Sequence, residues 1–345
     1  MNFNDKIFKS FKYSRNLYLE QFKSYHWKYQ INQKKDLYKI DNLKNFRKNK
    51  LSQGLDDQFY TAEQTKYLFE SLKDEEGSEF VYSMLDSKNI GNVEKIQNFK
   101  DRLYSSNELF HIKYLSKIKD FVELDKKSLI CEIGSGYGCL VSKILRLFDS
   151  KIILIDLPES NFLSSYYLKS LFPEKKFFLT TDIKNNKIEK GDIENNEIII
   201  ICPWDNLPAL EINFFINSRS MMEMNNESIK HYFELIQNKI KINGHFLCIN
   251  RYYKDTVGYP VELHKYPFDK NWEVILSEQS WNQDHVHFLF LKRTQKKQEN
   301  ILNELKKIKK ISRKKIKSDP RVFRRIIPDF LYKIYKKIKF LFLKK

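Results

Sequence analysis

Glu132-Ile133-Gly134-Ser135-Gly136-Tyr137-Gly138 is the stretch that decides the fold, because three alternating glycines stand there between an apolar run and an amphipathic one. Leu129 to Ile133 reads as a buried strand, and Gly138 to Phe148 as a helix with Val141, Ile144, Leu145 and Phe148 on one face. Glycines at such a junction let the backbone turn tightly and approach a ligand, while the helix N-terminus offers unpaired N–H groups and a partial positive charge. Lys151 to Ile155 follows as a second strand. Asp156, at its end and eighteen residues past Gly138, stands where a carboxylate can accept hydrogen bonds from two ribose hydroxyls.

Outward from this unit, short apolar runs alternate with amphipathic ones, the pattern of strand and helix taking turns in a parallel sheet. Pro158 opens a helix that Pro173 stops, with Leu163, Tyr167 and Leu171 on one face. Further strands are expected at Lys176 to Leu179, Glu197 to Cys202 and Phe214 to Asn217; the pattern leaves open which of the first two is the third central strand. Asn226 to Ile242 reads as a helix ended by Asn243-Gly244, and His245 to Asn250 as the next strand. Trp272 to Leu276 and Val286 to Leu291, joined through Asn282-Gln283-Asp284, read as a terminal antiparallel pair. Residues 1 to 115 are expected to be mostly helical, with aromatic stretches at Phe8 to Tyr29 and Thr61 to Leu72. Asn45-Phe46-Arg47 and Leu51 to Asp57 are expected to be a connector between helices, with contact to the site as the alternative.

The glycine turn and Asp156 do not distinguish a dinucleotide from another adenosyl ligand. Glu132 directly before the first glycine, and the GxGxG spacing, resemble motif I of the class I S-adenosylmethionine-dependent methyltransferases. CEIGSGYG (131–138), LIDLPESNFLSSYYL (154–168), NSRSMMEMNNESIKHYF (217–233) and YPFDKNWEV (266–274) together resemble, over about residues 40 to 292, the family described as sugar O-methyltransferases. The resemblance implies a Rossmann-like sheet closed by an antiparallel pair, S-adenosylmethionine as cofactor, and a sugar hydroxyl in a surface polysaccharide or its precursor as acceptor. Glu132, Gly134, Ser135, Gly136, Tyr137, Gly138 and Asp156 would hold the cofactor, with its methionyl carboxylate at the helix N-terminus.

An alcohol acceptor must lose a proton, so a general base, a divalent metal or both are expected. Ligands of doubly wound sheets sit beyond the carboxyl ends of the strands, which selects Ser218, Arg219 and Glu223, then Asn250, Arg251 and Tyr253. Glu223 and His264 are the candidate catalytic residues, the first also readable as an acid favouring a helix start and the second as a solvated loop histidine. Asp205, with Trp204 beside it and Asp182 as rival, is placed by topology at the adenine, and Asn217 at the methionyl group. Asp284, His285 and His287 lack an evident further ligand, and no metal site is assigned.

The 345 residues carry a net charge of +18, but twenty-one Lys or Arg against four acids from Lys292 onward account for +17 of it. This segregation divides the chain into a helical region (1–115, a cap on the acceptor side), a cofactor-binding domain (116–293) and a basic helical tail (294–345). In the tail, Phe330, Ile334, Ile338 and Leu341 form a stripe flanked by lysines, which suits an anionic membrane surface, a partner protein or local packing. The charge is segregated from the presumed site and no NPPY- or DPPY-like tetrapeptide occurs, which argues against a nucleic-acid substrate; an RNA or DNA methyltransferase and a non-catalytic scaffold remain the alternatives. No apolar run reaches the length of a membrane span or resembles a signal peptide, so the expectation is a cytoplasmic protein, peripheral on the inner face of the membrane if the tail binds lipid. Cys131, Cys139, Cys202 and Cys248 show no metal-ligand spacing and read as core thiols.

Overall fold

The computed structural model describes residues 2–48, 60–297 and 299–318. Leu51 to Asp57 and the striped segment 321–345 lie outside them. The N-terminal region contains α1 (Phe3–Asn16), α2 (Tyr25–Gln33), α3 (Ala62–Glu76) and α4 (Ser78–Met84), then a small hairpin of β1 (Gln97–Phe99) and β2 (Arg102–Tyr104), and α5 (Ser106–Ile118). The aromatic stretch Phe8 to Tyr29 runs from α1 into α2. Ser24 starts the second, its hydroxyl accepting a hydrogen bond from the Trp27 N–H at 3.3 Å.

The alternating part follows: β3 (Leu129–Ile133), α6 (Cys139–Phe148), β4 (Lys151–Ile155), α7 (Pro158–Leu171), β5 (Phe177–Leu179), α8 (Lys190–Glu194), β6 (Ile198–Ile201), β7 (Ile212–Ser218), α9 (Asn226–Lys239) and β8 (Ile240–Arg251). Two short strands, β9 (Tyr253–Lys254) and β10 (Val261–Glu262), precede the hairpin of β11 (Trp272–Ser280) and β12 (Gln283–Arg293), and α10 (Asn300–Ser318) follows it. The main sheet runs β5-β6-β4-β3-β7-β8-β12-β11. It is parallel from β5 to β8 and antiparallel at β12 and β11. Both candidates for the third strand belong to it. The four isoleucines of β6 are buried on both faces beside β4, whereas three-residue β5 takes the edge.

The chain leaves β3 toward β4 on one side and returns to β7 on the other, so the crevice at the carboxyl ends of β3 and β7 is the topological switch point. The helix expected to reach Ile242 stops at Lys239, because Ile240 already pairs with Ile212 of β7. Asn243 (φ +65°) and Gly244 form an irregularity at the start of β8 instead of a helix cap. A Cβ on Gly244 would stand 2.8 Å from the Asn213 carbonyl oxygen.

One face of the sheet shares its core with the N-terminal region, the other with α9 and α10. Ile301 and Ile308 of α10 are buried against that second face, so the described start of the basic tail packs locally. Lys143 of α6, fully buried, donates to Asp86 at 2.8 Å and Glu108 at 3.3 Å; Arg146 and the Tyr167 hydroxyl also reach Asp86. This charge cluster ties α5 and the α4–β1 connection to α6 and α7. Among the described residues no helix is long and apolar enough to cross a membrane.

Candidate functional site

Gly134 (φ +74°) leaves β3 with its N–H donating to the Ile155 carbonyl at 2.8 Å, and a Cβ there would lie 2.0 Å from the Ser220 hydroxyl oxygen. Only glycine lets β3 and the turn after β7 close this far. Farther along the loop, the Gly136 N–H donates to one oxygen of Asp156 at 2.8 Å and the Leu157 N–H to the other at 2.7 Å. Burial raises the Asp156 pKa to about 7 against these bonds. Tyr137 is held from the N-terminal side, its hydroxyl accepting from the Asn107 amide at 3.0 Å with the Arg47 guanidinium 4.9 Å above its ring.

Glu132 is buried, and one of its carboxylate oxygens has no hydrogen-bond partner among the described residues. Burial, with Asp156 beside it, pushes its pKa up to about 8. The Ser135 hydroxyl is likewise buried and unpartnered. An orphaned carboxylate and hydroxyl beside a glycine loop, with a second acid at the next strand end, fit an adenosyl ligand that carries an amino group and a ribose diol.

Glu132, Ser135, Gly136, Tyr137 and Asp156 line one wall of a cavity of about 700 Å³. The facing walls come from Phe22, Trp27, Tyr60, Asn107, Phe110 and His111 of the N-terminal region, and from Ser218, Arg219, Glu223, Arg251, Gln283 and His285 at the strand ends. Sequence reasoning missed the N-terminal set and Gln283. No motif marks the former, and only folding brings residues 22 to 111 against the glycine loop. His111 offers an unpartnered Nδ1, and burial followed by the charges of Arg219, Lys143 and Arg47 lowers its pKa to about 3.

Three of the expected site residues stand away from the cavity, and a fourth lines it in an ion pair. His264 does not reach the cavity: α10 packs on the turn that carries it, and its ring stands 3.6 Å from Glu262. Glu223 does line the cavity, as a carboxylate held in an ion pair. Burial works to raise its pKa, yet the His26 hydrogen bond and Lys254 together pull it down to about 2. Asn217 lies behind the loop, its amide donating to the Ile133 carbonyl at 2.8 Å and the Ser220 hydroxyl at 2.6 Å, while its oxygen accepts from Asn250 at 2.8 Å. Asp205 accepts from the Cys202 N–H at 2.8 Å and the Thr180 hydroxyl at 3.3 Å, and does not line the cavity; its rival Asp182 pairs with Lys6 at 2.6 Å. Trp204 packs against Tyr18 and Phe22. His287 binds Tyr252 and Ser277 through its two ring nitrogens, and the described residues contain no group of three His, Cys, Asp or Glu able to hold a metal.

A parallel sheet with a switch point, a glycine turn after its first central strand and an acid after the second settle the architecture. The fold is Rossmann-like. No family model matches the chain. A segment is 31% identical over 144 residues to the ribosomal RNA small subunit methyltransferase A of Prochlorococcus marinus (strain MIT 9515), covering 37% of this chain and 48% of that protein. The chain thus spans about half the length of the curated relative it matches. Solved structures with a likeness to this Rossmann-like chain include an rRNA methylase from Streptococcus thermophilus (15% identity, TM-score 0.34, covering 54% of this chain and 94% of that one). Another is the geranyl diphosphate C-methyltransferase of Streptomyces coelicolor A3(2), solved with Mg2+, geranyl diphosphate and S-adenosyl-L-homocysteine (10% identity, TM-score 0.40, covering 56% of this chain and 82% of that one).

Proposed function

We propose that this chain is an S-adenosylmethionine-dependent O-methyltransferase acting on a sugar hydroxyl of a surface polysaccharide or its precursor. The observation that carries the reading is the unpartnered oxygen of the buried Glu132 carboxylate beside the glycine loop, with Asp156 on the same cavity wall. Glu132 would hold the cofactor's ammonium, Asp156 its ribose hydroxyls, and the N-terminus of α6 its carboxylate. When bound, the cofactor supplies a methyl group already activated by the positive charge on sulfur. The chain's own tasks are then positioning, exclusion of water and handling of the acceptor proton.

Phe22, Trp27, Tyr60 and Phe110 give the cavity an aromatic wall, while Asn107, His111, Gln283 and His285 add polar groups. Such a mixture suits a sugar, whose ring faces are apolar and whose edges carry hydroxyls. His111 lines the cavity with an unpartnered Nδ1 and would be the base once acceptor binding raises a pKa that burial and nearby cations lower to about 3. Segment 321–345 would hold the enzyme at an anionic membrane surface, which co-sedimentation with phosphatidylglycerol vesicles tests in the full chain and in a chain ending at 318.

A second reading, methylation of RNA, draws on the segment shared with the ribosomal RNA methyltransferase. Against it, the end of β7 reads Asn217-Ser218-Arg219-Ser220, with no aromatic residue or proline of a base-handling tetrapeptide. Supplying methyl-tritiated S-adenosylmethionine to a cell extract with the wild-type protein or Asp156→Ala decides between them. Label in glycan that the variant does not transfer is the expected result. Label in nucleic acid, or none in either fraction, overturns the sugar reading.

A further inference from the structure

Arg219 stands just past the end of β7 at φ +61°, a conformation that glycine adopts freely and a side chain does not. Its N–H donates to the Ile249 carbonyl at 2.6 Å, which fixes the kink, and Ser220 then turns back against Gly134. The backbone alone would be served as well by glycine, so the guanidinium is what the strained position adds. It lines the cavity, and among the described residues no carboxylate pairs with it and no acceptor receives a hydrogen bond from it. The neighbouring Ser218 hydroxyl is buried, unpartnered and on the same wall, with Arg251 at the end of β8 next to them.

The acids of the cavity do not compensate this charge. Glu223 is taken up by Lys254 and His26, while the rise in the Glu132 pKa comes from burial and Asp156 alone. The Arg219 charge bears instead on His111 and His285, whose pKa values it lowers in addition to burial. The cavity is thus acidic at the glycine loop and cationic at the far strand ends.

We propose that the acceptor sugar carries an anionic group, a carboxylate or a phosphate, and that the Arg219 guanidinium with the Ser218 hydroxyl recognises it. A guanidinium presents paired N–H donors in a planar fork that matches either oxyanion, and a partly enclosed cavity strengthens that pairing over its value in water. A bound anion also offsets the charge that depresses His111, so recognition and proton removal would share one residue. The inference rests on the methyl-transfer reading above and adds the chemical class of its acceptor.

The test is calorimetric titration of protein saturated with S-adenosylhomocysteine, using D-glucuronate, D-glucose 6-phosphate and neutral D-glucose. Wild type is expected to bind one of the two anions at least about tenfold more tightly than glucose, and the arm that binds tells carboxylate from phosphate. Arg219→Gly relieves the backbone, so it is expected to keep its melting temperature and its affinity for S-adenosylhomocysteine while losing the anion preference; Arg219→Lys keeps part of it. Equal binding of glucose and both anions, no binding of either anion, or an anion preference that survives Arg219→Gly overturns the proposal alone. Failure of wild type to bind S-adenosylhomocysteine overturns the methyl-transfer reading and, with it, this one.

Discussion

Glu132→Gln tests the cofactor end of the cavity through protons as well as affinity. With its pKa raised to about 8 by burial and Asp156, the Glu132 carboxyl of the ligand-free protein is roughly nine-tenths protonated at pH 7. Pairing with an ammonium requires the carboxylate, so binding of S-adenosylhomocysteine at pH 7 should release close to one proton from this group. Asp156, at about 7, can add up to roughly half of another. Titration calorimetry in two buffers of different ionisation enthalpy measures the total, and the difference between wild type and Glu132→Gln isolates the Glu132 share. The substitution also removes a charge-assisted hydrogen bond worth about 1.5–3 kcal/mol, so affinity should fall about ten- to a hundredfold. The linkage has a second face in the ligand-free protein. From about the ordinary carboxyl value of 4.5 up to about 8, the folded state holds a proton that the unfolded state has released, so Glu132 makes stability fall as pH rises through that window, by on the order of 1.4 kcal/mol per pH step. Glu132→Gln should flatten that slope. Unchanged affinity together with unchanged proton release in the variant would refute the placement of an ammonium at Glu132.

Gly134→Ala should abolish cofactor binding and lower the melting temperature, since its Cβ would stand 2.0 Å from the Ser220 hydroxyl oxygen; Ser220→Gly in the same chain should restore part of the stability but not the part due to φ +74°. Glu223, held at about 2, contributes stability that is present above pH 4.5 and is lost as pH falls through 2. Glu223→Gln should therefore remove on the order of 3 kcal/mol of acid-dependent stability from that window, read by urea unfolding at stepped pH. Lys143→Met leaves Asp86 and Glu108 buried without their shared cation and should cost about 3–5 kcal/mol in the same assay. A loss below about 1 kcal/mol would show that the cluster does not hold the N-terminal region to the sheet.

Local signals explain where sequence reading succeeded. The apolar runs at Leu129–Ile133 and Lys151–Ile155 reappear as β3 and β4 with the same limits, because strands buried on both faces need continuous apolar sequence. Asn243-Gly244 misled because a positive φ serves a helix end and a strand irregularity equally, and pairing of Ile240 with Ile212 chose the latter. Lys143 falls inside a helix in which six other residues are buried, and nothing local says that Asp86 and Glu108 will meet it there.

The sequence by itself determined the glycine turn, the two acids beside it and the alternation that makes a parallel sheet, because each depends on residues within a strand–turn–helix unit. Only the tertiary structure decided what faces those acids. Phe22, Trp27 and His111 reach the cavity from elements far away in the chain, whereas α10 draws His264 away from it. Glu223 lines the cavity as its position after β7 implies, yet the ion pairs with His26 and Lys254 that hold its carboxylate are met only on folding. A side chain's type is local, but its charge state depends on burial and on neighbours that arrive from elsewhere in the chain.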